Sequence, residues 1–528
     1  MDTRTVNRAF LLALCGCLAA CGTDAPPDPT RVKLADGEVH GSVKGTSLQF
    51  LGIPYAKPPV GDLRWKAPQK PDPWSNVRDA TQFGKRCAQL MDPTLQNAAS
   101  NDEDCLYLNV WTWSPPPKNP LPVMIWIHGG GNVNGSASEP VPFLNTGVFY
   151  SGELLAGGHS VVVVSLNYRL GIFGFFGHPD LWAEGSSGNQ GLLDQQMAFQ
   201  WVHDNIAKFG GDPGNVTIFG ESAGSFDVCM HMAAPSNTGL FHRAISESGG
   251  CTTVQRTKAQ AEAAATSFAT GAGCTGAGAL ACLRGKPAAT LMASPDVAAG
   301  TGFGPEVDTQ FLPDQPRTLY DMGKIAKVPY LLGSNTDEGT LFLPATKPAT
   351  DPDYMAALTA MFGASASAVA NVYMPGNFPS GALNSQTAAL ARVIGDSRLV
   401  CTTFDTAVRT SHAGASVYMY NFDVPVPALV STTLGATHGS ELTSVFGTSP
   451  TFATDPAAKA VSDLMQRYWT NFARTGNPNA GADLSWPAFS ESANVRINFA
   501  LQQPTIVNDF RATECAFWRM GYALQFPM

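Results

Sequence analysis

A serine between two glycines, placed directly after a short apolar run, is the feature that most restricts how this chain can fold. Residues 216–224 are Val-Thr-Ile-Phe-Gly-Glu-Ser-Ala-Gly, and a helix-like stretch follows at residues 225–232. A strand that turns sharply into a helix at Gly-x-Ser-x-Gly exposes the serine hydroxyl above the edge of the sheet. Gly220 and Gly224 leave room for such a turn. The motif predicts a nucleophile elbow with Ser222 at its tip; a glycine-rich turn that opens an ordinary helix is the alternative.

A second glycine-rich segment lies upstream, again at the end of an apolar run. Residues 124–131 are Met-Ile-Trp-Ile-His-Gly-Gly-Gly. Glycines let backbone N–H groups approach a bound molecule closely, and an acyl-transfer enzyme needs such donors for the oxyanion of its tetrahedral intermediate. In elbows of this type one donor is the amide of the residue after the nucleophile, here Ala223. The two motifs together predict a site for acyl transfer rather than two flexible turns.

The serine needs a base, because a hydroxyl is a weak nucleophile at its ordinary pKa, and the base needs an acid that orients it. In chains with this elbow the order is serine, acid, histidine. Four histidines follow Ser222. His231 and His242 are too close to the elbow to leave space for an acid-bearing strand, and His412 precedes an apolar strand as a surface or capping residue. His438 lies in a loop of small residues and is the preferred base.

The acid is expected after an intervening strand, and the apolar run at residues 328–333 has that position. The residues that follow are Ser-Asn-Thr-Asp-Glu-Gly, so Asp337 and Glu338 are neighbouring candidates. Spacing does not choose between them. Either carboxylate can also be explained as a solvated loop residue or as a charge at the start of a helix.

Beyond these motifs, the chain resembles the type-B carboxylesterase and lipase family, a cholinesterase-like group within the α/β-hydrolases. The longest match is the block 188–224, which contains Gly-Leu-Leu-Asp-Gln-Gln-Met-Ala-Phe-Gln-Trp-Val-His. The resemblance extends from about residue 31 to the C-terminus. The shorter matches are Glu-Asp-Cys-Leu-Tyr-Leu-Asn-Val at 103–110, Asn-Tyr-Arg-Leu-Gly at 167–171, Ser-Glu-Ser-Gly at 246–249 and Asn-Thr-Asp-Glu-Gly at 335–339.

The resemblance implies a serine hydrolase that cleaves carboxylic esters through an acyl-enzyme. Its implied catalytic triad is Ser222, Glu338 and His438. Its implied oxyanion donors are the amides of Gly130, Gly131 and Ala223. A lipase acting on long-chain esters is the alternative activity. A non-catalytic binding or adhesion module of the same fold is a more distant alternative, because the triad residues are all present.

Three neighbouring features refine this prediction. The residue after the glycines is usually aromatic in the family, but here it is Asn132, which predicts a more polar entrance to the acyl pocket. Glu221, next to the nucleophile, is interpreted as a buried hydrogen-bonding group rather than a base. The segment between Cys87 and Cys105 contains no Trp. Cholinesterases have a choline-stacking Trp there, so binding of a quaternary ammonium group is not expected at that place.

The resemblance implies an α/β-hydrolase fold, with a large, mostly parallel central sheet, helices on both faces and long loop and helix insertions, and the apolar runs along the chain agree with it. Several runs are apolar at every position, as in a sheet covered on both sides. Residues 31–528 are expected to form a single domain, because the predicted site draws on residues from 130 to 438. A hairpin is expected at residues 32–43. The predicted strands are 106–113, 123–127, 161–166, 216–219, 244–246, 330–332 and 417–422.

The N-terminal thirty residues are expected to direct export. Residues 1–20 have the arginines and short apolar run of a signal peptide, and the run is too short to span a bilayer. Leu-Ala-Ala-Cys at 18–21 resembles the bacterial lipobox, which implies an acylated Cys21 and a tether over residues 21–30. The expected location is the periplasm or cell surface, with the outer membrane favoured. An ordinary signal peptide and a secreted soluble enzyme form the alternative.

Cysteine usage also indicates export. Eleven cysteines are present, and the eight outside the N-terminal segment are an even number, as expected for disulfides in an oxidising compartment. The resemblance implies Cys87–Cys105, Cys274–Cys282 and Cys401–Cys515. Cys229 and Cys251 are left either as a fourth bridge or with Cys229 as a buried thiol.

Charge and spacing limit the expected partners. The net charge is −9 and no cluster of Lys and Arg is present, so nucleic acid is not an expected partner. No cysteine or histidine spacing indicates a zinc site. The expected partner is a small-molecule or lipid ester, with no cofactor and no metal.

Overall fold

The computed structural model describes residues 28–521, apart from residues 92–97, 116–117, 142–146, 187, 299–301, 379, 429 and 482. The expected signal peptide, most of the tether and Cys21 therefore lie outside the described residues. The sheets are formed by β1 (Arg31–Lys33), β2 (Glu38–His40), β3 (Ser42–Lys44), β4 (Ser47–Pro54), β5 (Arg78–Asp79), β6 (Tyr107–Trp113), β7 (Leu121–Ile127), β8 (Val162–Leu166), β9 (Gly211–Glu221), β10 (Arg243–Glu247), β11 (Arg256–Thr257), β12 (Glu306–Val307), β13 (Tyr330–Asn335), β14 (Val417–Phe422), β15 (Arg496–Phe499) and β16 (Thr505–Val507).

A central sheet of eleven strands has the order β16-β15-β14-β13-β10-β9-β7-β8-β6-β4-β3. Its neighbours from β8 to β15 run parallel, whereas both edges are antiparallel. Each predicted apolar run is found in this sheet, although β9 extends well beyond the predicted 216–219. The expected N-terminal hairpin is β1 with β2, which pair antiparallel with Arg31 opposite His40.

Side chains on the two faces of the sheet belong to different hydrophobic cores. In β7, Val123, Ile125 and Ile127 enter one core, while Met124 and Trp126 enter the other. This alternation of two apolar faces explains why the strand has no polar position. Helices cover both faces, as predicted.

The α-helices fall in the connections between strands and in long insertions. They are α1 (Glu153–His159), α2 (Gly171–Gly174), α3 (Pro179–Ala183), α4 (Gln190–Asn205), α5 (Ala223–Ala233), α6 (Lys258–Gly271), α7 (Ala279–Arg284), α8 (Ala288–Met292), α9 (Pro295–Ala298), α10 (Pro316–Asp321), α11 (Asp351–Phe362), α12 (Ala366–Val372), α13 (Ser385–Gly395), α14 (Cys401–His412), α15 (Leu442–Phe446), α16 (Pro456–Thr475) and α17 (Ala512–Gly521).

Four disulfides join segments among the described residues. The bridges Cys87–Cys105, Cys274–Cys282 and Cys401–Cys515 are those that the resemblance implies. Cys229 is also bridged, to Cys251, rather than being a free buried thiol. All eight cysteines among the described residues are therefore paired, as expected for a protein of an oxidising compartment.

One helical stretch of the described residues, Asp351–Asn377, has the length and apolar composition of a membrane span. It is not one continuous helix, because Gly363 has a φ of +54° and ends α11. Tyr354 and Leu358 are buried against the core. The stretch is thus a pair of surface helices with an apolar inner side.

Candidate active site

The predicted elbow is present where β9 meets α5. Ser222 has φ +55° and ψ −121°, a strained conformation for a residue other than glycine. α5 begins at the next residue, Ala223. A Cβ atom at Gly224 would overlap the carbonyl oxygen of Ile127 at the end of β7. The close approach of the first turn of α5 to the end of β7 therefore explains the glycine and fixes the position of the serine.

A glycine loop, residues 129–135, follows β7 and lies against the elbow because β7 and β9 are parallel neighbours. Gly130 and Gly131 have φ values of +102° and +63°. A Cβ atom at Gly129 would lie 3.1 Å from that of Ser222. Ala223 is the first residue of α5, so its amide has no partner within the helix. The predicted oxyanion donors are thus brought together beside Ser222.

The predicted acid and the predicted base come from the ends of β13 and β14, which are also parallel neighbours. Glu338 begins a short 3-10 turn after β13, and His438 lies in a histidine loop, residues 423–441, after β14. Nδ1 of His438 is 2.7 Å from Oε2 of Glu338. Oε1 of Glu338 accepts the backbone N–H of Asn335 at 2.7 Å. Both oxygens of Glu338 are therefore engaged, one of them with the imidazole.

Asp337, the other candidate acid, contacts the histidine loop in a different way. Its Oδ2 accepts the backbone N–H of Ala436 at 3.1 Å, and its own N–H donates to the Ala436 carbonyl at 3.0 Å. Asp337 thus holds the loop and not the imidazole. His412, the other candidate base, is 65% exposed and pairs with Glu491 at 2.8 Å.

Ser222 and His438 line the same cavity but are not hydrogen-bonded to each other. Nε2 of His438 has no hydrogen-bond partner among the described residues. The atom closest to it in an ion pair is Oε1 of Glu221, at 3.1 Å and not aligned for a hydrogen bond. Glu221 is buried, as predicted, but its Oε1 has no hydrogen-bond partner among the described residues and lies beside the imidazole of His438 instead.

Two further carboxylates were missed by the sequence analysis. Glu441 lies three residues after His438 and accepts Nδ2 of Asn335 at 2.5 Å. Glu247, at the end of β10, accepts Nε1 of Trp469 at 2.9 Å. Both are completely buried. The signal for Glu441 was present, since it is a charged residue directly after the small residues that flank His438.

Burial and charge shift the pKa values of this cluster strongly. Burial raises the pKa of Glu221 to about 7 and that of Glu247 to about 8. Burial also raises the pKa of Glu441 well above its usual range. Burial lowers the pKa of His438, but the negative charges of Glu221 and Glu338 outweigh it and raise this pKa to about 9. A proton on Glu221 would remove one of those charges, so the two groups titrate together.

The prediction that Asn132 makes the pocket entrance more polar was wrong. Asn132 is only 4% exposed and does not line the cavity. Its amide instead hydrogen-bonds with Asp227 and Tyr168 in the interior. Buried polar partners attract the side chain away from the pocket, which the sequence comparison did not reveal.

The cavity beside Ser222 has a volume of about 460 Å³. It is enclosed between the glycine loop, the histidine loop and the start of α16. Its charged lining side chains, besides His438, are the carboxylates of Glu139, Glu221 and Asp455. Most of the remaining wall is apolar, with Phe149, Phe342, Phe422, Val424, Val426, Val430, Phe452 and Leu501.

A strand-to-helix elbow, a glycine loop beside it, and an acid and a histidine after later strands of one sheet define the α/β-hydrolase class. Comparison with known proteins gives the family. The model of the carboxylesterase family matches residues 28–518, and the chain belongs to that family. It is 35% identical to a cholinesterase from Mus musculus over 571 aligned positions, covering 98% of this chain and 91% of that protein. The predicted α/β-hydrolase fold is thereby confirmed, and the protein is a carboxylic ester hydrolase.

Proposed function

We propose that Ser222, His438 and Glu338 form the catalytic triad and that ester hydrolysis proceeds through an acyl-enzyme. The observation that carries this proposal is the 2.7 Å contact of Glu338 with Nδ1 of His438, in a cavity that Ser222 also lines. A carboxylate at Nδ1 holds the proton there and leaves Nε2 free to accept another. The exposed His412 and the loop-holding Asp337 have no comparable arrangement.

The steps follow from these positions. The Ser222 oxygen attacks the ester carbonyl carbon, and Nε2 of His438 takes the hydroxyl proton. The resulting oxyanion is stabilised by the amides of Gly130, Gly131 and Ala223. Collapse breaks the bond to the alcohol, which leaves with the proton from His438. Water then attacks the acyl-enzyme by the same route, releasing the acid and restoring Ser222.

This mechanism requires Nε2 of His438 to accept a hydrogen bond from the Ser222 hydroxyl, whereas in the structure Nε2 lies near Oε1 of Glu221. Catalytic hydrogen bonds are often long or poorly aligned in the free enzyme and tighten when substrate binds. We expect a bound ester to complete this contact. Glu221 then balances the positive charge that the imidazole gains in the transition state.

The cavity supports neutral esters with an apolar group as substrates. Its apolar walls favour hydrocarbon, and its carboxylates disfavour a negatively charged substrate. Long-chain lipase activity is the second candidate, because the lining continues from Ser222 as far as Phe452 and Ala458.

A chain-length series of p-nitrophenyl esters tests both candidates. We expect hydrolysis by the wild type and none by Ser222→Ala, with a fluorophosphonate probe labelling the wild type alone. A rate maximum at acyl chains of eight carbons or more would favour the lipase, and one at short chains the esterase. Absence of both turnover and labelling would instead support a non-catalytic module.

We also propose that residues 1–20 are a signal peptide, that Cys21 is acylated at the start of a tether reaching residue 30, and that residues 31–528 form one catalytic domain. The four disulfides support export. Two acyl chains give stable membrane attachment.

Expressed with its own N-terminus in a bacterium, the enzyme should fractionate with outer membranes. Mass spectrometry should find acylated Cys21 as the first residue, and Cys21→Ser should abolish attachment. A soluble wild type with an unmodified N-terminus would contradict the lipoprotein proposal alone.

A further inference from the structure

Asn132 connects the glycine loop to the helix of the elbow. It follows Gly131 directly and has a φ of +59°. Its Nδ2 donates to Oδ1 of Asp227 at 2.9 Å, and its Oδ1 accepts the Tyr168 hydroxyl at 2.9 Å. Its backbone oxygen accepts the N–H of Gly171 at 2.6 Å. Side chain and backbone thus anchor the residue that ends the run of glycines.

Asp227 lies five residues after Ser222 on α5 and is completely buried. Each of its oxygens accepts an amide: Oδ1 from Asn132, and Oδ2 from Nε2 of Gln195 at 2.6 Å. No lysine, arginine or histidine in the described part of the chain forms an ion pair with it, and burial raises its pKa to about 7. A buried carboxylate without a cation is costly, so its place beside the elbow calls for an explanation.

The groups behind Gln195 fix the direction of these hydrogen bonds. Oε1 of Gln195 is 2.6 Å from Nε2 of His231, and Nδ1 of His231 is 2.8 Å from Nδ2 of Asn237. Burial lowers the pKa of His231 to about 3, so its ring is neutral. The ring therefore accepts from Asn237 and donates to Gln195, whose amide nitrogen must then point at Asp227. Amide donors reach Asp227 from two sides, and only a carboxylate accepts both.

We propose that Asp227 is a positioning residue of the oxyanion hole: through Asn132 it sets the distance between the glycine loop and the helix that begins at Ala223. This inference rests on the proposed function, because it assigns a use to the Gly130, Gly131 and Ala223 amides. Those donors come from two separate segments, the glycine loop and α5. The Asn132–Asp227 hydrogen bond joins the same two segments across 95 residues of chain. Donor positions in such a hole must be accurate to a fraction of an ångström.

The replacement Asp227→Asn tests this role while keeping the side-chain shape. In the variant an NH2 group replaces one of the two side-chain oxygens of residue 227. That NH2 group faces the amide of either Asn132 or Gln195, which therefore loses its hydrogen-bond acceptor. We expect kcat to fall on the order of tenfold to a hundredfold, with KM changed by less than about threefold, since the lost contacts are made mainly in the transition state. The affinity for a trifluoromethyl ketone, which forms an oxyanion on Ser222, should fall by about the same factor as kcat/KM.

The exchange Asn132→Asp/Asp227→Asn supplies a rescue that a merely structural role does not predict. The carboxylate at position 132 accepts both the amide at position 227 and the Tyr168 hydroxyl, while Gln195 keeps its acceptor. We expect kcat of the double variant to exceed that of either single variant. Asn205→Ala is the matched control: it removes a buried amide at the end of α4 that donates to the Trp201 carbonyl and lies outside this network, so it should lower Tm and leave kcat unchanged.

Two further measurements keep the test decisive. Asn132→Ala removes the connection from the loop side and replaces Asp227→Asn if that variant does not fold. Hydrogen–deuterium exchange over residues 129–135 should be faster in either variant, and this readout does not depend on turnover. Unchanged exchange, or a lower Tm with an unchanged kcat, would overturn the positioning role. Full activity of Ser222→Ala would instead overturn the proposed function, whatever the exchange data show.

Discussion

The elbow and the histidine loop meet at one site, but different interactions hold them in place. The elbow depends on backbone packing: Gly220 and Gly224 lie so close to the end of β7 that neither position has space for a Cβ atom. The histidine loop depends on side chains from distant residues. Thr340 donates to the carbonyl of Leu434 at 2.7 Å, and Asn335 donates to that of Thr437 at 2.7 Å. The difference teaches that the proposed nucleophile can be fixed by local backbone geometry, whereas the proposed base needs support from side chains far along the chain.

The largest expected effect is at the elbow itself. Ser222→Ala removes the nucleophile without disturbing the turn, so kcat should fall on the order of 10⁴-fold or more in a protein that stays folded. Steady-state hydrolysis of a p-nitrophenyl ester, with circular dichroism as the folding control, measures this. Near-normal turnover in the purified variant would mean that Ser222 is not the nucleophile.

His438→Ala tests whether the two regions act as one unit. We expect a loss similar to that of Ser222→Ala, and a Ser222→Ala/His438→Ala protein scarcely less active than either, because the residues act in the same step. The His412→Ala variant is the matched control and should retain normal kcat, since that residue is exposed. Additive losses in the double variant would show that the two residues act independently.

Variants of the neighbouring acids Glu338 and Asp337 distinguish two roles, which are orienting the imidazole of His438 and holding the histidine loop. Glu338→Gln should lower kcat on the order of a hundredfold or more, because the imidazole loses the carboxylate that fixes its tautomer. Asp337→Asn keeps an oxygen for the Ala436 N–H and should cost less than about tenfold. If Asp337→Asn proved the more damaging of the two, the acid would have been assigned one residue too far along the chain.

A smaller effect on kcat is expected from a change in the histidine loop where its backbone packs against the Asp337 side chain. Gly435 has a φ of +63°, and a Cβ atom there would overlap the Asp337 carboxylate. Gly435→Ala should displace the histidine loop and lower kcat on the order of tenfold. Gly271→Ala, at a position with open space around it, is the control and should change nothing. An unaffected Gly435→Ala enzyme would show that the loop tolerates displacement.

The smallest effect concerns pH. His438 accepts a proton only when neutral, so activity falls as the pH drops through its pKa, which Glu221 and Glu338 raise. Glu221→Gln removes one negative charge, lowers that pKa and should move the acid limb of kcat/KM to lower pH by on the order of one unit. Glu139→Gln alters the same cavity at a carboxylate that pairs with Arg86, and should leave the limb in place. A limb shifted upward would contradict the role given to Glu221.

The features that the sequence predicted correctly are those that depend on local geometry, and the features that it missed depend on contacts between distant residues. The elbow, the glycine loop and the strands were predictable because their patterns lie within a few consecutive residues. Choosing Glu338 over Asp337 required the resemblance, since the two side chains differ only in what they meet after folding. Asp227 and Glu441 were missed because their partners lie far along the chain: Glu441 bonds with Asn335 across 106 residues. The position of the Asn132 side chain was mispredicted for the same reason, since its partners Asp227 and Tyr168 are also distant in sequence.

The Cys401–Cys515 bridge closes a covalent ring of chain that contains His438 but neither Ser222 nor Glu338. A protease that cuts once inside this ring releases nothing, because both new ends stay attached through the disulfide. Such a nicked enzyme would migrate as one band on a non-reducing gel and as two after reduction. Where the cut lies between residues 401 and 438, reduction would then free the piece that carries His438 from the piece that carries Ser222, which offers a way to divide the proposed active site between two polypeptides.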